Sequence, residues 1–160
     1  TDPHPGITVK RVNGGLVSNY LNDQIRPGKT IEIMKPLGNF TTEFHSKNKN
    51  HFVMVAGGSG ITPIMGIAKS VFVNEPDSKV TLIYCSRSEE QIIFKKELDA
   101  LKEKYGEKLN LIHNLSQPSP LWTGLKGRLN VEKVKTILSE SNFSELADSF
   151  GKCRSRFGLL

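Results

Sequence analysis

A glycine-rich turn between two apolar segments constrains the fold of this 160-residue chain more than any other feature. The segment HFVMVAGGSGITPIMGIAKS (51–70) starts with a continuous apolar run, passes three glycines in four residues and continues with apolar residues at helical spacing. A continuously apolar strand is typical of a parallel sheet that is buried on both faces. We therefore predict a β-strand at 51–56 and then a helix, with Thr62 as its cap and Pro63 at its first position.

The same alternation of predicted strand and predicted helix continues towards residue 150. Apolar runs predict two more strands, and a Ser88–Gln91 capping box predicts the start of a helix that Gly106 ends. A strand–helix–strand–helix–strand order predicts an α/β fold with a doubly wound parallel sheet and right-handed crossovers. The segments assigned in this way are strands at 79–85 and 108–116 and helices at 89–106, 131–140 and 143–150.

The first 46 residues follow a different pattern. Alternating apolar residues predict strands at 7–12 and 29–35, and helical spacing predicts a short helix at 14–23. The RPG sequence at 26–28 predicts a turn, because proline pre-sets the backbone angle there. Two strands and one helix cannot form a core alone, so this region is expected to be the tail of a β domain. We predict three regions: a β remnant at 1–46, an α/β domain at 47–150, and a tail of uncertain origin at 151–160.

Composition excludes several classes of function. The net charge is +6, but the lysines and arginines are scattered without interleaved aromatic residues, which argues against nucleic-acid binding. Cys85 and Cys153 form no CxxC pair, so this chain alone predicts neither a zinc site nor an iron–sulfur site. No apolar stretch reaches membrane-spanning length and none resembles a signal peptide. We therefore expect no membrane partner and a cytoplasmic location, with Cys85 as a buried free thiol.

The glycine turn could bind an anion or could be only a tight connection. Gly57, Gly58 and Gly60 lie at the carboxyl end of the first predicted strand, where ligands of such sheets bind, and glycines let backbone amides approach a phosphate. After the second strand, Ser86 and Arg87 stand where NAD-binding proteins place an acid. This pair suits a 2′-phosphate and favours NADP over NAD, unless Arg87 is only a solvated charge.

Three motifs in order resemble the ferredoxin–NADP reductase superfamily. GGLVSNYL (14–21) is similar to its flavin pyrophosphate motif, and RPGKTIEIMKPLGNF (26–40) is similar to its last barrel strand and the turn after it. VAGGSGITPIM (55–65) resembles its pyridine-nucleotide motif. The resemblance implies an NAD(P)-binding parallel sheet preceded by the last strands and short helix of an antiparallel flavin-binding β-barrel.

The resemblance also implies cofactors and the residues that bind them. FAD would be held by Leu16, Val17 and Ser18. NADPH, with NADH less favoured, would be held by Gly57, Gly58, Ser59, Gly60, Ile61, Thr62 and Pro63. Thr62 would lie beside the nicotinamide as the catalytic position, and Ser86 and Arg87 would bind the 2′-phosphate. Arg128, in GLKGRLN, would join that phosphate or the adenine, unless it is an ordinary surface arginine.

By resemblance, the activity is flavin-dependent electron transfer from NADPH to FAD and then, one electron at a time, to an iron–sulfur or oxygenase partner. The motifs look most like reductase components of bacterial oxygenases, such as that of phenylacetyl-CoA epoxidase, which carry a [2Fe–2S] ferredoxin domain. The family's Arg-x-Tyr-Ser and Cys-Gly-Pro motifs are absent, so we expect a truncated fragment and assign Cys153 no catalytic role. The alternatives are a nucleotide-binding fragment without redox turnover and a flavin-free interaction domain.

Overall fold

The computed structural model describes residues 6–35 and 37–140, and the chain divides into two compact units between Glu43 and Phe44. The described residues of the first unit form the predicted helix, α1 (Leu16–Gln24). The predicted turn is also present, since the Lys29 amide donates to the Arg26 carbonyl at 3.0 Å. Pro36, the helix predicted at 143–150, Cys153 and the tail at 151–160 lie outside the described residues.

The prediction of two strands in the first unit was wrong. Residues 7–12 and 29–35 have no regular strand structure. Alternating apolar residues give a segment the capacity to pair, but a strand forms only when its backbone hydrogen-bonds to a neighbouring strand. Neither segment has such a neighbour among the residues described.

Up to residue 140, the second unit is a parallel four-stranded sheet with helices on both faces, which confirms the predicted α/β fold. Its strands run in the order β1-β2-β3-β4, and every neighbouring pair is parallel. The short strand β4 was not predicted, because two residues are too few to show a pattern. The elements are β1 (His51–Gly57), α2 (Ile61–Asn74), β2 (Lys79–Ser86), α3 (Lys95–Tyr105), β3 (Leu109–Leu115), β4 (Leu125–Lys126) and α4 (Val131–Glu140).

The core lies on both sides of β2. On one face, Met54 and Leu82 pack with α2 and α3 residues such as Ile64 and Leu98. On the other face, α4 packs on Val53, which neighbours Met54 and so points the opposite way. It is β2, rather than β1 as predicted, that is buried along most of its length, because β1 forms the edge of the described sheet.

The predicted starts of α2 and of α3 both need correction. A single 3₁₀ turn (Gly58–Gly60) leads directly into α2, so the helix begins at Ile61 and Thr62 is not its cap. Pro63 therefore occupies the third helical position, where its missing amide hydrogen costs no intrahelical bond. None of the described helices is both long enough and apolar enough to cross a membrane.

The predicted capping box before α3 is not formed either. The Ser88 hydroxyl donates to the Glu90 carboxylate at 2.7 Å instead of capping a helix. Residues Glu89–Gln91 make only one 3₁₀ turn, and the left-handed backbone of Phe94 (φ 60°) separates it from α3. The helix therefore begins at Lys95 and ends at Tyr105, and Gly106 terminates it as predicted.

Candidate functional site

The glycine turn lies at the carboxyl edge of the sheet, between β1 and α2. β1 ends at Gly57, and Gly58 to Gly60 form the 3₁₀ turn that leads into the helix. Gly58 has φ +50°, a left-handed conformation that costs a residue with a side chain free energy. The backbone itself therefore explains the glycine at position 58.

Gly57 and Gly60 have no such explanation. Their φ angles are −130° and −62°, which any residue adopts readily. A Cβ atom built on either glycine meets no other atom within 4 Å. Neither conformation nor packing in the described structure requires glycine at these positions. Close approach of a ligand to the backbone would require it.

Tyr84 on β2 holds the glycine turn in position through a hydrogen bond. Its side chain is fully buried. Its hydroxyl donates to the Gly58 carbonyl at 3.0 Å and accepts from the Ile93 amide at 3.2 Å. One phenol oxygen thus joins the glycine turn to the loop that follows β2. Sequence reasoning missed this role, because a tyrosine within an apolar run indicates only a strand.

We expect Tyr84→Phe to destabilise the chain by about 1–3 kcal/mol, because the Gly58 carbonyl and the Ile93 amide lose a buried partner. Urea unfolding followed by circular dichroism measures this loss. Tyr105→Phe is the matched control, since the Tyr105 ring stacks on Phe72 at 4.1 Å and its hydroxyl has no hydrogen bond in the described structure. Equal stability of the two variants would contradict the role given to the Tyr84 hydroxyl.

The predicted 2′-phosphate residues lie at the same edge of the sheet. Gly57 pairs in register with Cys85, so Ser86 and Arg87 follow directly beside the turn. Arg87 is exposed, and its guanidinium makes no hydrogen bond or ion pair with the described part of the chain. The Ser86 side chain is only 9% exposed, and its Oγ atom is buried without a partner among the described residues. Arg87 is therefore the more accessible of the two.

Arg128 lies in the loop between β4 and α4 and is exposed. Lys133, on the first turn of α4, holds this loop by donating from Nζ to the Arg128 carbonyl at 3.1 Å and also to the Lys126 carbonyl. The Asn130 side chain accepts from the Lys133 amide at 2.9 Å and so caps α4. The sequence did not single out Lys133 or Asn130, because these contacts depend on how the loop folds.

The half-buried side chains beneath this edge are poorly suited to acid–base or nucleophilic chemistry. Burial raises the pKa of the Cys85 thiol despite an Asn114 amide contact at 3.9 Å, so Cys85 is a weak nucleophile. Burial lowers the pKa of His113, whose ring lies 5.9 Å from that of Tyr84. Within residues 6–35 and 37–140, no group of three or more His, Cys, Asp or Glu side chains could hold a metal.

In the first unit, the candidate binding residues lie at the start of α1. Leu16 and Val17 are exposed, and the first amides of a helix have no acceptor within it. The Ser18 hydroxyl accepts from the Val12 amide at 3.2 Å, which leaves its own hydrogen available to donate. A Cβ on Gly15 would lie 2.6 Å from Ser18 Oγ, so glycine is needed there to fit this arrangement. This donor set fits a pyrophosphate.

Comparison with known proteins identifies the family. Residues 54–149 match the oxidoreductase NAD-binding domain, and residues 4–42 match the oxidoreductase FAD-binding domain. The chain belongs to the oxidoreductase NAD-binding family. The resemblance to the ferredoxin–NADP reductase superfamily is thereby confirmed.

Three relatives of this chain are named for an epoxidase, a monooxygenase and a cytochrome b5 reductase. One subunit of the 1,2-phenylacetyl-CoA epoxidase of Escherichia coli is 35% identical over 82% of this chain and 37% of its own length. The ferredoxin reductase component of 3-ketosteroid-9-alpha-monooxygenase from Rhodococcus rhodochrous is 42% identical, with 77% and 34% covered. NADH-cytochrome b5 reductase 2 from Neurospora crassa is 36% identical, with 84% and 38% covered. The chain thus spans less than two fifths of each of these relatives.

Solved structures share the fold of this chain. The CS-b5R domains of human Ncb5or in the NAD⁺ form superpose with a TM-score of 0.73 at 22% identity, covering 94% of this chain and 46% of that one. At this level of identity the likeness concerns the fold alone. The predicted architecture of an NAD(P)-binding sheet preceded by a flavin-domain segment is confirmed at that level.

Proposed function

We propose that the chain is part of a flavin-dependent electron-transfer oxidoreductase that uses NADPH and FAD. Residues 1–46 would contribute to FAD binding and residues 47–150 would bind NADPH. When bound, NADPH supplies a hydride, and FAD accepts it and releases single electrons to an acceptor. The observation that carries the proposal is the glycine turn, where Gly57 and Gly60 leave open space that no contact with the described residues explains.

The turn would bind the coenzyme pyrophosphate. The backbone of Gly57, Gly58, Ser59, Gly60 and Ile61 would lie against it at the start of α2, where the helix dipole favours negative charge. The Thr62 hydroxyl donates to the Ser59 carbonyl and so braces the turn. We propose that Thr62, with Pro63 next to it, lies beside the nicotinamide. No acid–base residue is required for hydride transfer, so Thr62 acts by placing the ring.

Arg87 would select the 2′-phosphate of NADPH. Its free guanidinium can form charge-assisted hydrogen bonds to a phosphate, with Ser86 and Arg128 as the other proposed contacts. Several relatives, among them the reductases from Neurospora crassa and other fungi, are named for NADH. The preference for NADPH in this chain therefore rests on Arg87 and on the lack of an acid at the end of β2.

FAD would be held at the start of α1 by the amides of Leu16 and Val17 and by the Ser18 hydroxyl. We propose a ferredoxin-type [2Fe–2S] domain or an oxygenase component as the electron acceptor, because relatives are named as components of an epoxidase and a monooxygenase. A cytoplasmic location stays a prediction from the sequence.

We expect Arg87→Ala to weaken NADPH binding about tenfold or more while NADH binding stays within about twofold, since only NADPH carries the charge that Arg87 would bind. Titration calorimetry with the full chain measures both ligands. Lys47→Ala is the matched control, because it removes one positive charge ahead of β1, away from the carboxyl edge. Equal affinity for the two coenzymes, unchanged in Arg87→Ala, would contradict the 2′-phosphate assignment.

The two alternative functions give different results in the same preparation. An oxidoreductase retains or takes up FAD, shows flavin absorbance and reduces ferricyanide with NADPH. A nucleotide-binding fragment binds NADPH but shows no flavin absorbance or turnover. A flavin-free interaction domain, while folded, binds neither NADPH nor NADH.

A further inference from the structure

The Glu89 carboxylate joins the two loops that follow β2 and β3. It accepts from the Ser119 hydroxyl at 2.6 Å, and both of its oxygens lie 3.2 Å from the Ser119 amide. The two residues are 30 positions apart in the chain. One carboxylate therefore fastens the loop after β3 to the loop that carries Arg87.

This contact continues a series of hydrogen bonds beyond the ends of the strands. The Ser116 amide donates to the Ser86 carbonyl at 3.0 Å, and the Gln117 amide donates to the Arg87 carbonyl at 2.7 Å. Glu89 adds the next connection two residues further on. The backbone of Arg87 is thus held directly by Gln117 and, on its carboxyl side, through Glu89.

The contact with Ser119 also determines which groups lie next to the charged carboxylate of Glu89. Hydrogen bonds from Ser119, and then from its own backbone amide, hold the pKa of Glu89 below its ordinary value against the opposing effect of burial. The carboxylate is therefore ionised at neutral pH, and it faces Ser119 and Lys126. It makes no ion pair with Arg87 in the described structure, although it is only two residues away. A carboxylate released from Ser119 could pair with Arg87 and compete with an anionic ligand.

We infer that Glu89 is a positioning residue for recognition of the 2′-phosphate, because its bond to Ser119 fixes the loop of Arg87 and keeps the Arg87 guanidinium free. This inference rests on the proposed NADPH function. It assigns to the contact between Glu89 and Ser119 the role of maintaining selectivity for the 2′-phosphate. The ligand class it concerns is a 2′-phosphorylated adenine nucleotide.

The test compares adenosine 2′,5′-bisphosphate with 5′-AMP by calorimetry on the full chain. In Glu89→Ala we expect affinity for the bisphosphate to fall about tenfold and affinity for 5′-AMP to stay within about twofold. Glu90→Ala is the matched control, since it also removes one negative charge, but among the described residues it loses bonds from the Ser88 hydroxyl and its own backbone amide and none to the loop after β3. Its selectivity should stay unchanged or rise, because a repelling charge is lost.

Two further variants separate positioning from charge and from unfolding. Glu89→Gln keeps a carbonyl that accepts from Ser119, so its selectivity should stay within about threefold of the wild type. Ser119→Ala removes the hydroxyl bond but keeps the amide bond, so selectivity should fall by less than in Glu89→Ala. This milder variant decides the question if Glu89→Ala fails to fold.

The outcomes distinguish this inference from the proposed function. A wild-type chain without preference for the bisphosphate would overturn both the NADPH assignment and the role of Glu89. A selective wild type with an equally selective Glu89→Ala variant would overturn the role of Glu89 alone. A rise in selectivity in Glu89→Ala, as in Glu90→Ala, would also overturn it, because Glu89 would then act only as a repelling charge.

Discussion

The double substitution Gly57→Ala and Gly60→Ala is expected to weaken NADPH and NADH binding alike by about a hundredfold without loss of stability. Both positions have ordinary backbone angles, and both Cβ atoms would point into open space. Replacing glycine by alanine at such positions keeps or raises the free energy of unfolding, by up to about 1 kcal/mol each. The added methyl groups would instead occupy the space that the pyrophosphate needs.

Two other glycines serve as controls for this experiment. Gly66 lies on the exposed face of α2 with nothing within 4 Å of its Cβ position, so Gly66→Ala should stabilise the helix and leave binding unchanged. Gly58→Ala should cost about 1–2 kcal/mol, because of its left-handed backbone. Unfolding curves and calorimetric titration of the same samples give both quantities. Unchanged affinity in the double variant would show that the turn is only a tight connection.

The parallel sheet could be predicted because its signals are local. Continuous apolar runs placed β1, β2 and β3 within two residues of their limits, and helical spacing placed α1 and α4. Both kinds of signal lie within a single segment of the chain, and tertiary contacts did not override them in these elements.

The errors fall where the backbone depends on contacts made elsewhere in the chain. Residues 7–12 have the pattern of a strand but no partner among the described residues. Phe94 adopts a left-handed conformation that no propensity predicts for a phenylalanine, and it delays α3 until Lys95. The helix at Ile61 begins early because a 3₁₀ turn precedes it.

The residues of the candidate site also divide into those that a local motif indicates and those that depend on contacts made elsewhere in the chain. The glycine turn and Arg87 could be proposed from the sequence, because a motif keeps its residues at fixed spacing. The contacts of Tyr84 with Gly58 and of Glu89 with Ser119 join residues 26 and 30 positions apart. Only the register of the sheet brings these pairs together, so no local pattern identifies them.

Glu75 is a further example, and its effect on stability should be large. It follows α2 directly, and its side chain is completely buried. Its carboxylate accepts from the Ser78 hydroxyl and the Asn48 amide group, each at 2.7 Å, from the His45 backbone amide at 3.2 Å and from the Asn50 amide group at 3.4 Å. These bonds attach the segment before β1 to the end of α2. Polar residues such as these would ordinarily indicate only an exposed loop.

The pH dependence of this contribution follows from the direction of the pKa shift. Burial alone would raise the pKa of Glu75, but hydrogen bonds from Ser78, Asn48, the His45 backbone and Asn50 together hold it below its ordinary value. A carboxyl group with a lowered pKa in the folded state stabilises fully above its unfolded pKa of about 4.3. That stabilisation is lost as the pH falls through the lower, folded-state pKa.

Glu75→Gln should therefore lower the midpoint of thermal unfolding by on the order of 5–10 °C at pH 7, because its amide nitrogen would face donors that need an acceptor. The difference from the wild type should be constant between about pH 6 and pH 8 and should shrink below about pH 4, as the wild-type carboxylate takes up a proton. Glu103→Gln, an exposed position on α3, is the control and should unfold like the wild type. Thermal unfolding followed by circular dichroism across this pH range tests the prediction. A difference that persists undiminished at low pH would mean that the substitution acts through packing, and that the ionised carboxylate does not hold the segment before β1 in place.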